Sequence, residues 1–90
     1  MRTVQISGKR MLSIESTHRY LKRQLALPDY YGANLDALWD LLSTKSDPVE
    51  ISLKHLAVLR HNLGDYGDKL IKVFEDAERT NPNLQFRVSD

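Results

Sequence analysis

Two aspartates one helical turn apart, Asp36 and Asp40, share a short stretch with Tyr30, Tyr31 and the single tryptophan, Trp39. From Leu27 the chain reads L-P-D-Y-Y-G-A-N-L-D-A-L-W-D-L-L. Paired carboxylates can do acid–base chemistry. Glycosidases, however, place theirs on opposite sides of the bond they cleave, a geometry that adjacent turns of one surface helix lack. Carboxylates beside aromatic rings are better suited to binding. The rings supply the kind of anchor that dominates protein interfaces, and the carboxylates complement a basic cleft. Ala26 to Thr44 holds three Asp and no Lys or Arg, whereas Met1 to Arg23 holds six basic residues and one acidic. Like charges at i, i+4 cost a few tenths of a kcal/mol, and nothing within this window offsets them. The competing reading is an ordinary solvated helix face with Trp39 at the edge of the core.

Other chemistries have less support. The chain has no cysteine, which removes disulfides, thiol catalysis and cysteine-based zinc sites. His18, His55 and His61 are scattered and form no ligand-spaced motif such as H-E-x-x-H. The sequence therefore predicts no catalytic residue, no metal and no cofactor. Arg19, Lys22 and Arg23 form a basic edge near Lys9 and Arg10. A nucleic-acid module would need its reading element in such a stripe. Here the aromatic residues lie in the negative zone, where phosphate is repelled, so the basic edge reads as a solvated helix face and no nucleic-acid partner is expected. No apolar run approaches the ~18–20 residues of a membrane span. Met1 to Met11 lacks the charged-then-apolar order of a signal peptide. A cytoplasmic protein with no membrane association is expected.

The elements that must position the acidic stretch can be read from periodicity. Ninety residues at a net charge of +1, with Leu, Ile, Val and Phe supplying 25 of them, fit one folded domain over 1–90. Thr3–Ser7, Val49–Leu53 and Leu84–Val88 alternate with period two and predict strands. Between them the period becomes helical. Ile14, Leu21 and Leu25 share one face, as do Leu35, Leu38 and Leu42, then Leu56, Leu59 and Leu63, then Leu70, Val73, Phe74 and Ala77. Gly64 suits the end of the third helix, and Asp65 or Asp68 suits the cap of the fourth. Strands separated by helices predict a parallel sheet. Their alternation predicts that helices cover one face and leave the other partly wet. Pro28 and Gly32 keep Leu27–Ala33 out of a helix, and Asn34 suits the N-cap of the next one. With Leu35 at 0° on a wheel of about 100° per residue, Trp39, Ser43, Asp36 and Asp40 fall between about 40° and 140°. They form a stripe beside the leucine face, with Tyr30 and Tyr31 leading to the same end.

This stretch resembles the barstar family of ribonuclease inhibitors. The tyrosine pair, the glycine, the asparagine and L-D-A-L-W-D follow the family's order and spacing without a gap. E-S-T-H-R-Y-L-K-R-Q-L-A-L-P resembles its first helix running into its binding loop, and V-F-E-D-A-E resembles its last helix. The resemblance spans nearly the whole chain, with one deletion between Ser43 and Pro48. It implies an α/β fold in which a single layer of three parallel strands packs with four helices. It also implies roles by position. The aspartate matching Asp40 enters the phosphate pocket of the ribonuclease as a phosphate mimic, and the one matching Asp36 pairs with a further basic group. The tyrosine matching Tyr30 packs on the active-site histidine. Tyr31, Gly32, Asn34, Leu35, Trp39 and Ser43 belong to the same partner-binding set, and Asp76 matches an acidic contact on the last helix. Asp76 also has Lys72 at i−4 and Arg79 at i+3, the spacing of a surface ion pair.

The chain departs from the family in places. Family members are acidic overall, so a charge of +1 predicts weaker steering towards a basic enzyme. A second family tryptophan after the second helix is missing, and Lys45 lies in that region. The expected function is one-to-one inhibition of a secreted or toxin ribonuclease of the barnase type by an inhibitor that is a monomer before binding. The alternative is an immunity or regulatory module of the same fold whose partner is not a ribonuclease.

Overall fold

The computed structural model describes residues 1–89. In chain order it runs β1 (Arg2–Ser7), a single 3-10 turn (Gly8–Arg10), α1 (Ile14–Gln24), α2 (Leu35–Ser43), β2 (Val49–Lys54), α3 (Leu56–Leu63), α4 (Asp65–Thr80) and β3 (Leu84–Ser89). The three strands form one parallel sheet in the order β1-β2-β3, with Val4 opposite Ile51 and Ile51 opposite Phe86. Each crossover carries two helices. This is the α/β fold of four helices and three parallel strands that the alternation and the resemblance predict.

The alternation resolves as a one-sided sheet. Val4, Ile6, Val49, Ile51, Leu53 and Leu84 are buried on the helix-covered face. Thr3, Gln5 and Gln85 are exposed on the other face, where Arg87 reaches Glu50 across the strands at 3.3 Å. α2 packs chiefly on α4, and α4 in turn covers β3, where Phe74 stacks on Phe86 with ring centroids 4.9 Å apart. At ~25 cal/mol per Å² of apolar surface, burying each such side chain contributes roughly 1.5–3 kcal/mol.

Three local expectations need correction. Ile14 is half exposed because it opens α1 beyond the edge of the core, and His18 takes its place on the inward face with Leu21 and Leu25. Neither Asp65 nor Asp68 caps α4. Gly64 ends α3 and begins α4 at φ +58°, a conformation open to glycine without a Cβ penalty. Asn81, which the sequence pairs with Pro82 and Asn83 as a turn signal before β3, does more than turn the chain. It is buried, and its Nδ2 donates to the Leu42 and Lys45 carbonyls at 2.9 Å each, tying the end of α2 to the α4–β3 turn.

Candidate partner-binding site

The candidate binding loop runs from the end of α1 to the start of α2. α1 closes with paired backbone hydrogen bonds, Leu27 N–H to Lys22 C=O at 2.9 Å and Ala26 N–H to Arg23 C=O at 3.3 Å. This is the Schellman arrangement, and it places Ala26 at φ +51°. At the far end Ala33 adopts φ +54° before Asn34 caps α2, its Oδ1 accepting from Ala37 N–H at 2.8 Å. Two alanines thus hold left-handed conformations that cost a Cβ-bearing residue about 1–2 kcal/mol each. Residues in such conformations persist only where the surroundings over-determine them. Gly32 itself is not left-handed; its carbonyl accepts from the Asn34 amide at 3.2 Å.

The adjacent tyrosines part company. Tyr30 is 81% exposed, whereas Tyr31 is 8% exposed and belongs to the core. Tyr31 therefore lies beneath the exposed stripe. Its hydroxyl is 2.5 Å from Nδ1 of the fully buried His18, and Nε2 of the same ring is 2.5 Å from the Tyr66 hydroxyl on α4. A neutral imidazole has one donor and one acceptor nitrogen, so one tyrosine donates to it and the other accepts from it. Burial lowers the His18 pKa and raises that of Tyr66. Burial, with Tyr66 adding to it, pushes Tyr31 well above its ordinary value. All three groups are held neutral. The triad clips the loop to α1 and α4.

The outer face carries the remaining residues. Asp36 and Asp40 are exposed, and no Lys or Arg among the described residues pairs with either. The third acid of the window differs, since Asp29 lies 3.9 Å from Lys22 of α1. Trp39 is 39% exposed beside them. Leu35 and Ser43 are half-buried at the stripe's margin, the Ser43 hydroxyl donating to the Asp40 carbonyl at 3.2 Å. Gly32 and Asn34 are exposed at the mouth of the loop. Asp76 lies apart on α4, between Lys72 at 3.3 Å and Arg79. No group of three or more His, Asp or Glu placed to hold a metal occurs among the described residues. No described helix is long and apolar enough to cross a membrane.

The sequence reading missed His18 and Tyr66 as structural residues. A signal was present for both: His18 stands three and seven residues before Leu21 and Leu25, and Tyr66 stands four before Leu70. Each occupies the apolar stripe of its helix.

Residues 1–89 match the family described as "Barstar (barnase inhibitor)". The chain belongs to the barstar family. A relative from Bacillus subtilis (strain 168), named "Putative ribonuclease inhibitor YrdF", is 42% identical over 79 residues, covering 87% of each chain.

Proposed function

We propose that this chain is a cytoplasmic inhibitor of a barnase-type, guanyl-preferring ribonuclease. It blocks the active site one-to-one and performs no chemistry of its own. The observation that carries this reading is the pair of exposed aspartates, Asp36 and Asp40, which pair with no cation among the described residues and lie beside Tyr30 and Trp39 on a braced loop and helix. In the complex Asp40 occupies the pocket that binds the RNA phosphate, and Asp36 meets a second basic group. Tyr30 covers the catalytic histidine, and Trp39, Leu35, Asn34, Gly32 and Ser43 surround these anchors and exclude water. Tyr31 supports the loop from below. Asp76 reaches the rim, keeping its own cations. Charge pairs desolvated across such an interface can be net favourable, and removing one partner strands the other.

The test is a titration of a barnase-type ribonuclease cleaving RNA, with Asp40→Ala in parallel. Loss of cleavage at a one-to-one ratio, abolished or strongly weakened by Asp40→Ala, supports the proposal. No inhibition by the folded protein at micromolar excess rejects a barnase-type partner and favours a different toxin.

A further inference from the structure

Three residues of the basic edge, Arg10, Arg19 and Arg23, are exposed and line an open surface pocket of about 280 Å³. The cavity lies between the 3-10 turn and α1 and is lined by Arg10, Leu12, Ser16, Arg19, Tyr20 and Arg23. No carboxylate among the described residues lines it. Tyr20 is fixed in the wall, because its hydroxyl accepts the Ser7 N–H at 2.9 Å. The Arg10 guanidinium lies over that ring, 5.5 Å from its centroid, which holds the charge at the rim. Arg10 and Arg23 have no acidic partner among the described residues. Arg19 has only Glu15 at 3.6 Å, in a pair so exposed that it is worth little. Three arginines thus line one pocket; two of them lack an acidic partner among the described residues, and the third has only a solvent-exposed one.

We infer that this cavity binds the phosphate group of a small ligand, a phosphomonoester or pyrophosphate. A carboxylate offers two oxygens and one charge, enough for a single guanidinium fork. A phosphate offers three or more terminal oxygens and nearly two charges, matching several forks at once. The volume is close to the lower end for small-molecule sites, about 300 Å³, and suits a mononucleotide or smaller. Exposed Leu12 supplies an apolar flank.

The site is separate from the partner-binding face. Ser16, Arg19, Tyr20 and Arg23 follow i, i+3, i+4, i+7 along one face of α1, whereas His18, Leu21 and Leu25 turn inward, His18 meeting the loop. An occupant of the cavity leaves Asp36, Asp40 and Trp39 uncovered. The inference therefore stands independently of the ribonuclease proposal.

The experiment is a titration of the ¹⁵N-labelled full chain at about 0.15 M NaCl, where long-range attraction is largely screened. Sodium pyrophosphate and uridine 5′-monophosphate are the two probes. Saturable one-to-one shifts centred on Arg10, Arg19, Tyr20 and Arg23 are expected. In Arg19→Ala/Arg23→Ala, affinity falls roughly tenfold or more, since two charge-assisted hydrogen-bonding groups are lost. Both side chains are exposed, so the double variant keeps its fold, which its melting curve checks. Tighter binding of the nucleotide identifies a nucleotide ligand, and equal or tighter binding of pyrophosphate identifies free inorganic phosphate. Both outcomes support the inference. Linear, unsaturated shifts spread over every basic residue, or unchanged affinity in the double variant, overturn it.

Discussion

The outside and the underside of the loop between α1 and α2 are built on opposite principles. Outside, Tyr30, Trp39, Asp36 and Asp40 offer rings and charges for which the described chain supplies no cationic partner. Underneath, Tyr31, His18 and Tyr66 satisfy one another, and no buried side-chain polar atom lacks a hydrogen-bond partner among the described residues. The same residue type, tyrosine, stands at adjacent positions on both sides. A preorganised loop loses less freedom when it binds, so the satisfied inner layer raises the value of the unsatisfied outer one. The contrast predicts a separation: outer substitutions weaken inhibition and spare stability, whereas inner ones lower stability directly and weaken inhibition only by loosening the loop.

Asp40→Ala is the sharpest outer test. A carboxylate removed from a desolvated ion pair strands its partner at a cost of about 3 kcal/mol or more, roughly a hundredfold or greater loss of affinity. Because Asp40 pairs with no cation among the described residues, the variant's melting temperature stays near that of the wild type. Inhibition titrations and thermal melts together check this. A variant that melted early yet inhibited normally would invert the comparison.

The tyrosine pair comes next. Tyr31→Phe removes a hydroxyl from a buried imidazole nitrogen, and an unsatisfied buried polar group costs about 1–3 kcal/mol. Tyr30→Ala removes an exposed ring and leaves stability within about 0.5 kcal/mol, while inhibition weakens. Urea unfolding of both variants decides whether the boundary between the layers falls between residues 30 and 31.

The inner layer also sets a pH window. The folded pKa of His18 lies below its ordinary 6.5, so on acidification the unfolded chain takes up this proton first. Stability contributed by neutral His18 is present above about pH 6.5 and is lost as the pH falls towards the folded value. Tyr31 and Tyr66 act at the other end: their raised values protect the fold up to about pH 10 and lose that contribution above it. The urea midpoint is expected to drop between about pH 7 and pH 5.5, and His18→Asn is expected to flatten that drop. An equal drop in the variant would place the titrating group elsewhere.

Much of this was legible before any coordinates. Strands announced themselves because one face of the sheet is wet, which preserves a period of two even in a parallel sheet. The α2 stripe was legible because a nine-residue helix with Leu38 and Leu42 turned inward and Leu35 half-buried beside them leaves little doubt about which side faces out. The triad was not, because histidine and tyrosine in an apolar stripe carry no mark of being satisfied. Their partners lie 13 and 48 residues away in sequence. The cation for Asp29 was likewise hidden, since Lys22 lies outside the acidic window and only the chain reversal after α1 brings it near. Local composition locates charge; the fold decides which charges remain unanswered.

Asp76 tests that last point at the smallest scale. It is an acid on the same molecule as Asp36 and Asp40, but it is answered, with Lys72 and Arg79 both at its carboxylate. Its side chain is 32% exposed and both cations are over 70% exposed, so the pairs are well solvated. Exposed helix pairs of this spacing contribute about 0.3–0.5 kcal/mol. A carboxylate already shared between two cations gains less from a third across an interface than one that meets its first there. Asp76→Ala is therefore expected to lower stability by about 0.5 kcal/mol or less. It should weaken inhibition by less than roughly tenfold, well short of Asp40→Ala. A loss equal to that of Asp40→Ala would show that prior pairing does not rank these acids, and that position on the partner's surface alone does.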